Sequence, residues 1–304
     1  MIASIKKQEK LLPVFELALG SLVRACLAEI HCEDVARNAD GTLWVKYTGQ
    51  DFQLIGHQSD DQAFNLIATA ASLQGANVNF DRPVLETILP DGNRFQGMLP
   101  PTVSSPVWCI RARSKKVYTL DNYVEAGIMT PPQENQIIQA IEGRRNILVS
   151  GSNGSGKTSL LNAIIAHLSL VDPKTRLGII EDTPELRSSL PNHVALLAGP
   201  KVSMLRCLKS CVRMRLDRIA VGEVRGREAL TMLKAFNAGY PGMATIHSNS
   251  AKAAKERLCG LVREAIPNFD ATNLIEENIH VIVQIDGPTP TRRRQITEIW
   301  EENA

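Results

Sequence analysis

The stretch NILVSGSNGSGKTSLLNAII, residues 146–165, decides how the rest of the chain is read. An apolar run enters a glycine-rich turn, and the turn leads into apolar residues at helical spacing. Gly151, Gly156, Lys157 and Thr158 fit the pattern G-x-x-x-x-G-K-[ST]. Glycines in such a turn let backbone N–H groups point inward around phosphate oxygens, and the helix N-terminus adds partial positive charge. Lys157 is placed to reach the β and γ phosphates, and the Thr158 hydroxyl to ligate magnesium. Gly151, Ser152, Asn153, Gly154, Ser155, Gly156, Lys157, Thr158 and Ser159 are therefore the candidate nucleotide-binding residues. The plain alternative is a strand-to-helix turn that binds nothing; the strand before and helix after argue against it.

Working outward, NILVS, SLLNAIIAHL, RLGIIE, SMLRCLKSCVRM, RIAVG, REALTMLKAFNAG, MATIH and AKAAKERLCGLV alternate strand and helix patterns. That alternation predicts a mostly parallel sheet with crossover helices, an α/β domain over 133–304. HVIVQID and RQITEIWE close it as an antiparallel pair. Upstream, residues 7–30 carry helix-spaced apolar positions with Pro13 near the start or at a kink. TLWVKY and DFQLIG alternate as strands, and 59–75 reads as a helix with a Ser/Asp start and Gly75 as a stop. VLETILPDGNRFQGML is a hairpin around Asp91-Gly92, and VWCIRAR a further strand. These form a smaller α+β domain over 1–112, joined by a polar linker over 113–132.

Hydrophobic content of 44% and charged content of 22% are those of a soluble globular chain. The net charge of +2, from 34 basic and 32 acidic residues, does not point to nucleic acid, and no direct nucleic-acid motif is present. The dense basic run TRRRQ at 291–295 reads as a solvated hairpin edge. No apolar run approaches the ~20 residues of a membrane span, and the N-terminus lacks a secretory signal pattern. A cytoplasmic location is expected. The six cysteines have no C-x-x-C spacing; Cys207 and Cys211 share a helix face as two buried thiols, and neither zinc nor disulfides are expected.

A nucleotide hydrolase needs a magnesium shell and a group acting on the attacking water. RIAVGEVRG, residues 218–226, ends a strand with Gly222 where an acidic residue is usual, followed by Glu223. LGIIEDTPEL places Glu181 and Asp182 at a second strand end, and MATIHSNS places His247 at a third. Ligands of open α/β sheets bind beyond the carboxyl ends of strands, so these groups can converge with Lys157. Each also has an ordinary reading: Asp182 as a turn cap, Glu223 paired with Arg225 or Arg227, His247 as a structural histidine.

Taken in order, GSNGSGKT, IEDTPELR, DRIAVGEVRGREAL and GYPGMATIHSNSA resemble the P-loop, Asp box, atypical Walker B and His box of bacterial secretion ATPases. Similarity is strongest to the type IV secretion and conjugal-transfer branch, of the TrbB type. It extends upstream through DGNRFQGMLPPTVSSPVWCIRARS and covers nearly the whole chain. The resemblance implies a RecA-like P-loop ATPase domain preceded by a PAS-like N-terminal domain. It also implies a homo-hexamer that hydrolyses ATP with Mg2+ at the cytoplasmic face of the inner membrane. Such rings are peripheral to the membrane, work with its components, and power pilus assembly or substrate transfer. On this sequence it implies Glu223 as the catalytic carboxylate and Glu181 as organiser of water and magnesium, with Asp182 as a second metal neighbour. His247 would act at the γ-phosphate, and Arg94 and Arg111, with Arg113 a weaker candidate, would supply charge to the phosphates on domain closure. Leu216 departs from a common proline, and Phe236 and Tyr240 from the more usual Trp and His; the acidic and histidine boxes are intact.

The competing motor readings are a pilus-retraction or type II secretion ATPase, the latter commonly carrying a four-cysteine insert that this sequence lacks. A non-hydrolysing nucleotide-binding scaffold and a small-molecule kinase are readings of other classes.

Overall fold

Apolar side chains of the strands after residue 146 alternate between two buried faces. In a computed structural model, which describes residues 2–113, 116–199, 201–289 and 291–302, Leu148, Ile180, Ile219, Ala244 and Ile282 enter one core. Their neighbours Ile147, Val149, Ile179, Ala220, Met243, Val281 and Val283 enter the other. A strand buried on both faces belongs in a sheet sandwiched by helices, and a parallel sheet with crossovers provides this.

The chain divides into two compact units, Met1–Lys116 and Val117–Ala304. The first holds α1 (Ile2–Leu19), α2 (Ser21–Ala28), β1 (Cys32–Arg37), β2 (Thr42–Tyr47), β3 (Gln53–His57), α3 (Asp60–Leu73), β4 (Val84–Ile88), β5 (Arg94–Met98) and β6 (Val107–Arg111). Its strands form one antiparallel sheet in the order β3-β2-β1-β6-β5-β4. This is the PAS-like α+β unit. The long N-terminal helix pattern breaks at Gly20 rather than at Pro13, which lies inside α1. Gly20 has φ of 81°, and α2 leaves the Leu11–Leu19 part of α1 at 93°. Ser59 caps α3 through a reciprocal capping box with Gln62. Among the described residues no single helix is long and apolar enough to cross a membrane.

The second unit contains α4 (Leu120–Glu125), α5 (Pro131–Glu142), β7 (Ile147–Gly151), α6 (Lys157–Val171), β8 (Leu177–Glu181), β9 (His193–Leu197), α7 (Met204–Cys211) and β10 (Arg218–Val221). It continues with α8 (Glu228–Asn237), β11 (Gly242–His247), α9 (Ala251–Ala265), α10 (Thr272–Glu276), β12 (Val281–Asp286) and β13 (Gln295–Glu301). The sheet order is β13-β12-β7-β11-β10-β8-β9, parallel throughout except for β13, which returns antiparallel on β12. Cys207 and Cys211 are buried on the inner side of α7.

The stretch expected as a linker, 113–132, is not a free connection from Val117 onward. Leu120, Tyr123 and Met129 are buried in the core beside α5 and α6. Thr119 caps α4, and Thr130 opens α5 with prolines in its first turn and a capping box to Gln133. Threonine followed by prolines here starts a helix, because the first-turn N–H groups have no helical partner to lose.

Candidate functional site

The glycine-rich turn lies between a strand and a helix, as its flanking residues predict. β7 ends at Gly151, the turn passes Ser152, Asn153, Gly154, Ser155 and Gly156, and α6 begins at Lys157, with Thr158 and Ser159 in its first turn. Gly154 and Gly156 have φ of 72° and 100°, conformations a side chain resists. The Lys157 side chain folds over the turn. Its Nζ donates to the Ser152 carbonyl at 2.8 Å and lies 3.2 Å from His247 Nδ1. Burial, helped by the Arg225 charge and opposed by Glu223, lowers the Lys157 pKa from its ordinary value. The Ser155 hydroxyl is buried without a hydrogen-bond partner among the described residues. A turn with left-handed glycines, a desolvated amine and an unsatisfied hydroxyl fits an anionic ligand.

His247 ends β11, next to β7, and Glu223 follows β10, next to β11. His247 Nε2 lies 3.0 Å from Glu223 Oε1, at ion-pair distance but without hydrogen-bond alignment. Because the lysine ammonium donates to Nδ1, the ring proton belongs on Nε2, facing the carboxylate. Burial and the Lys157 charge lower the His247 pKa, against the pull of Glu223. Burial pushes the Glu223 carboxyl up, yet Arg225, His247 and Lys157 together bring it below the usual value. Glu223 thus stays ionised while partly desolvated.

The other oxygen of Glu223 is held by Arg225 Nη2 at 2.7 Å, and Arg225 Nη1 holds Asp182 at 2.6 Å. Two strand ends are therefore linked through one guanidinium, and His247 joins the third through Glu223. Glu181, expected near water and magnesium, also shapes the local backbone. Its Oε1 accepts the backbone N–H groups of Glu185 and Leu186, both at 2.8 Å, and shapes the loop after β8. Gly222 is explained by the same residue: a Cβ at 222 would lie 3.1 Å from Glu181 Cβ. Strand β8 would have to give by a few tenths of an ångström to admit a side chain there.

Among the described residues no group of three or more His, Cys, Asp or Glu gathers to hold a metal ion. Magnesium beside a nucleotide needs few protein ligands, since phosphates and water fill most of its shell. Thr158 on the first turn of α6, with Asp182 beyond β8, suits that kind of site.

In the first unit, Arg94 on β5 and Arg111 on β6 are direct cross-strand partners. Arg111 is also opposite Asp34 of β1, and its Nε donates to Asp34 Oδ1 at 3.1 Å. The Arg113 N–H donates to Asn93 Oδ1. The 16 residues between Arg94 and Arg111 hide that pairing in the sequence; the hairpin register creates it.

One residue at the cradle has no part in the expected set. Arg294, from the basic run read as a solvated edge, donates from Nη2 to the Gly154 carbonyl at 3.3 Å. Its neighbour Arg292 pairs with Asp286 at 2.7 Å within the same hairpin. The turn pattern alone could not show that β13 returns beside the P-loop.

A family model described as type II/IV secretion system protein matches residues 19–286. The probable conjugal transfer protein TrbB of Sinorhizobium fredii is 39% identical over 292 residues, 95% of this chain and 89% of its own. The crystal structure of the VirB11 ATPase from the Brucella suis type IV secretion system, in complex with sulphate, superposes with a TM-score of 0.51 at 25% identity. That match covers 99% of this chain and 97% of the other. The pilus retraction motor PilT with bound ADP shares the fold, with a TM-score of 0.71 at 17% identity, covering 93% and 82% of the two chains. With the P-loop, the Glu223–His247 pair and the two-unit architecture in place, the chain belongs to the type II/IV secretion system protein family.

Proposed function

We propose that this chain is a Mg-dependent ATPase of a conjugative type IV secretion system, working as a homo-hexamer peripheral to the inner membrane on its cytoplasmic side. The observation that carries the enzymatic part is the chain Lys157–His247–Glu223, joining the start of α6 to the ends of the adjacent strands β11 and β10. The similarity to TrbB supports the conjugative assignment.

In this reading, residues 151–159 bind the phosphates through backbone N–H groups, and Lys157 exchanges its contacts with Ser152 and His247 for phosphate oxygens. Bound magnesium would be held by Thr158, with Asp182 acting through water, and would neutralise charge on the β and γ oxygens. Glu223 orients and deprotonates the attacking water, and the Nε2–H of His247 steadies that carboxylate or the γ oxygens. Glu181 positions the loop carrying Asp182 rather than touching the metal. Arg94 and Arg111 supply positive charge to the phosphates, work that in phosphoryl transfer is commonly done by arginine.

Glu223→Gln tests the central assignment, with expected retention of ATP affinity and loss of hydrolysis by at least about a hundredfold. Normal turnover in that variant would remove Glu223 from the chemistry. A wild-type ring that binds ATP without any turnover would instead favour the non-hydrolysing scaffold. Mass measurement with ATP and magnesium should give a hexamer; monomer alone under those conditions overturns the ring.

A further inference from the structure

The catalytic pair lies on one side of the P-loop strand. In the order β13-β12-β7-β11-β10, His247 and Glu223 follow β11 and β10, whereas β12 and β13 lie across β7. Hydrolysis requires the attacking water to lie in line with the γ-phosphorus, so the γ end of a bound nucleotide faces Glu223. Its nucleoside end then leads away, toward the β12–β13 hairpin. That hairpin is fitted closely to the cradle. A Cβ on Gly287 would lie 3.3 Å from Ser155 Cα, and one on Gly151 would collide with the Ile285 carbonyl oxygen.

Arg294 is the cation the hairpin delivers there. Its guanidinium covers Gly156, where a Cβ would meet Nε at 3.3 Å and Cζ at 3.4 Å. Nη2 is spent on the Gly154 carbonyl, while Nε is buried with no hydrogen-bond partner among the described residues. On the inner side, Tyr123 is buried in the core, edge-to-face with Tyr118 at 6.3 Å between ring centroids. The family match ends at residue 286, before this arginine.

We propose that Arg294 holds the nucleoside end of the bound nucleotide, its guanidinium plane stacking on the base. This rests on the P-loop reading above and adds a contact on the side away from the chemistry. A planar cation over the P-loop suits a flat, polarisable base, and stacking alone reads the face of a base rather than its edge. Adenine and guanine should therefore be held with similar strength by this contact.

Calorimetric titration of the full-length chain with ADP, GDP and inorganic pyrophosphate separates the possibilities without turnover. Arg294→Ala should weaken ADP and GDP about tenfold, the scale of one base-stacking contact, and leave pyrophosphate unchanged. Arg294→Lys should fail to restore ADP, because an ammonium lacks the stacking plane. Arg293→Ala, its exposed neighbour, should match wild type. Pyrophosphate also controls for folding, since a collapsed P-loop would lose it. Equal weakening of ADP and pyrophosphate, full rescue by lysine, or unchanged ADP affinity would each overturn the assignment. A wild-type chain binding pyrophosphate but not ADP more tightly would overturn it too. Wild type binding neither would bring down the nucleotide reading itself.

Discussion

At the level of single residues, Gly222 shows how a missing acid comes from packing. The position usually acidic in such strands is pressed against Glu181, whose Cβ and Cα lie 3.1 and 3.6 Å from where a Cβ would be. The Gly222 N–H also donates to Ile180 at 2.8 Å, and its carbonyl accepts the Thr245 hydroxyl at 2.6 Å, so the backbone has little freedom to retreat. Gly222→Ala should cost roughly 1–2 kcal/mol, as overpacking in a tight core does, measured by urea unfolding. Unchanged stability would show that β8 and β10 separate easily. His247 makes a second prediction at this scale. Its pKa lies below the ordinary 6.5, so the neutral ring that accepts from Lys157 is intact above that value. The contact is lost as pH falls through the lowered value, when a second positive charge forms beside the lysine. Hydrolysis should therefore show an acid limb with its midpoint below pH 6.5, and that limb should be absent in His247→Gln. A limb that persists in the variant belongs to another group, such as Glu223, which is held below its ordinary 4.5.

Among elements, the loop after β8 is held in part by one carboxylate. Glu181 is buried and accepts two backbone N–H groups, while Asn162 of α6 grips the same loop at Glu185 and Arg187. Charged acceptors of this kind are worth more than neutral ones, so Glu181→Ala should lose about 2–3 kcal/mol. Glu181→Gln keeps an acceptor oxygen and should recover much of that stability while leaving the magnesium dependence of hydrolysis unchanged. A large shift in the magnesium requirement of the Gln variant would return Glu181 to the metal shell. This also marks where sequence reasoning succeeded and stopped. The P-loop, β10 and β11 were legible because each is an apolar run ending in distinctive polar residues. β1 was not, because Cys32–Arg37 carries Glu33, Asp34 and Arg37 in a central strand. Those charges are tolerated because Asp34 meets Arg111, and buried Arg37 bonds to Asp60 and to the Gln58 and Pro106 carbonyls. Partners so distant in sequence leave no local pattern, and the same reason concealed Arg294 beside Gly156.

For the molecule as a whole, the separate cores of the two units make the boundary between them a thermodynamic question. Composition placed the end of a linker near residue 132, since 113–132 is polar and rich in turn residues. The packing places Leu120, Tyr123 and Met129 inside the core formed with Ile137, Ile141 and Leu161. Removing them strips three large side chains from the same cluster, each worth about 1.5–3 kcal/mol when fully buried. A chain piece spanning 117–304 should therefore unfold cooperatively and bind ADP through its P-loop. One spanning 133–304 should be less stable by on the order of 5 kcal/mol, comparable to the whole stability of many domains. Circular dichroism melts of the two pieces, with and without ADP, make the comparison. Equal melting temperatures would mean that α4 is an ornament on the second unit rather than part of its core. If both pieces fold and bind ADP but neither hydrolyses ATP, the missing first unit supplies something to the reaction. The arginines at 94 and 111 would then be the first side chains to restore or delete in the full chain.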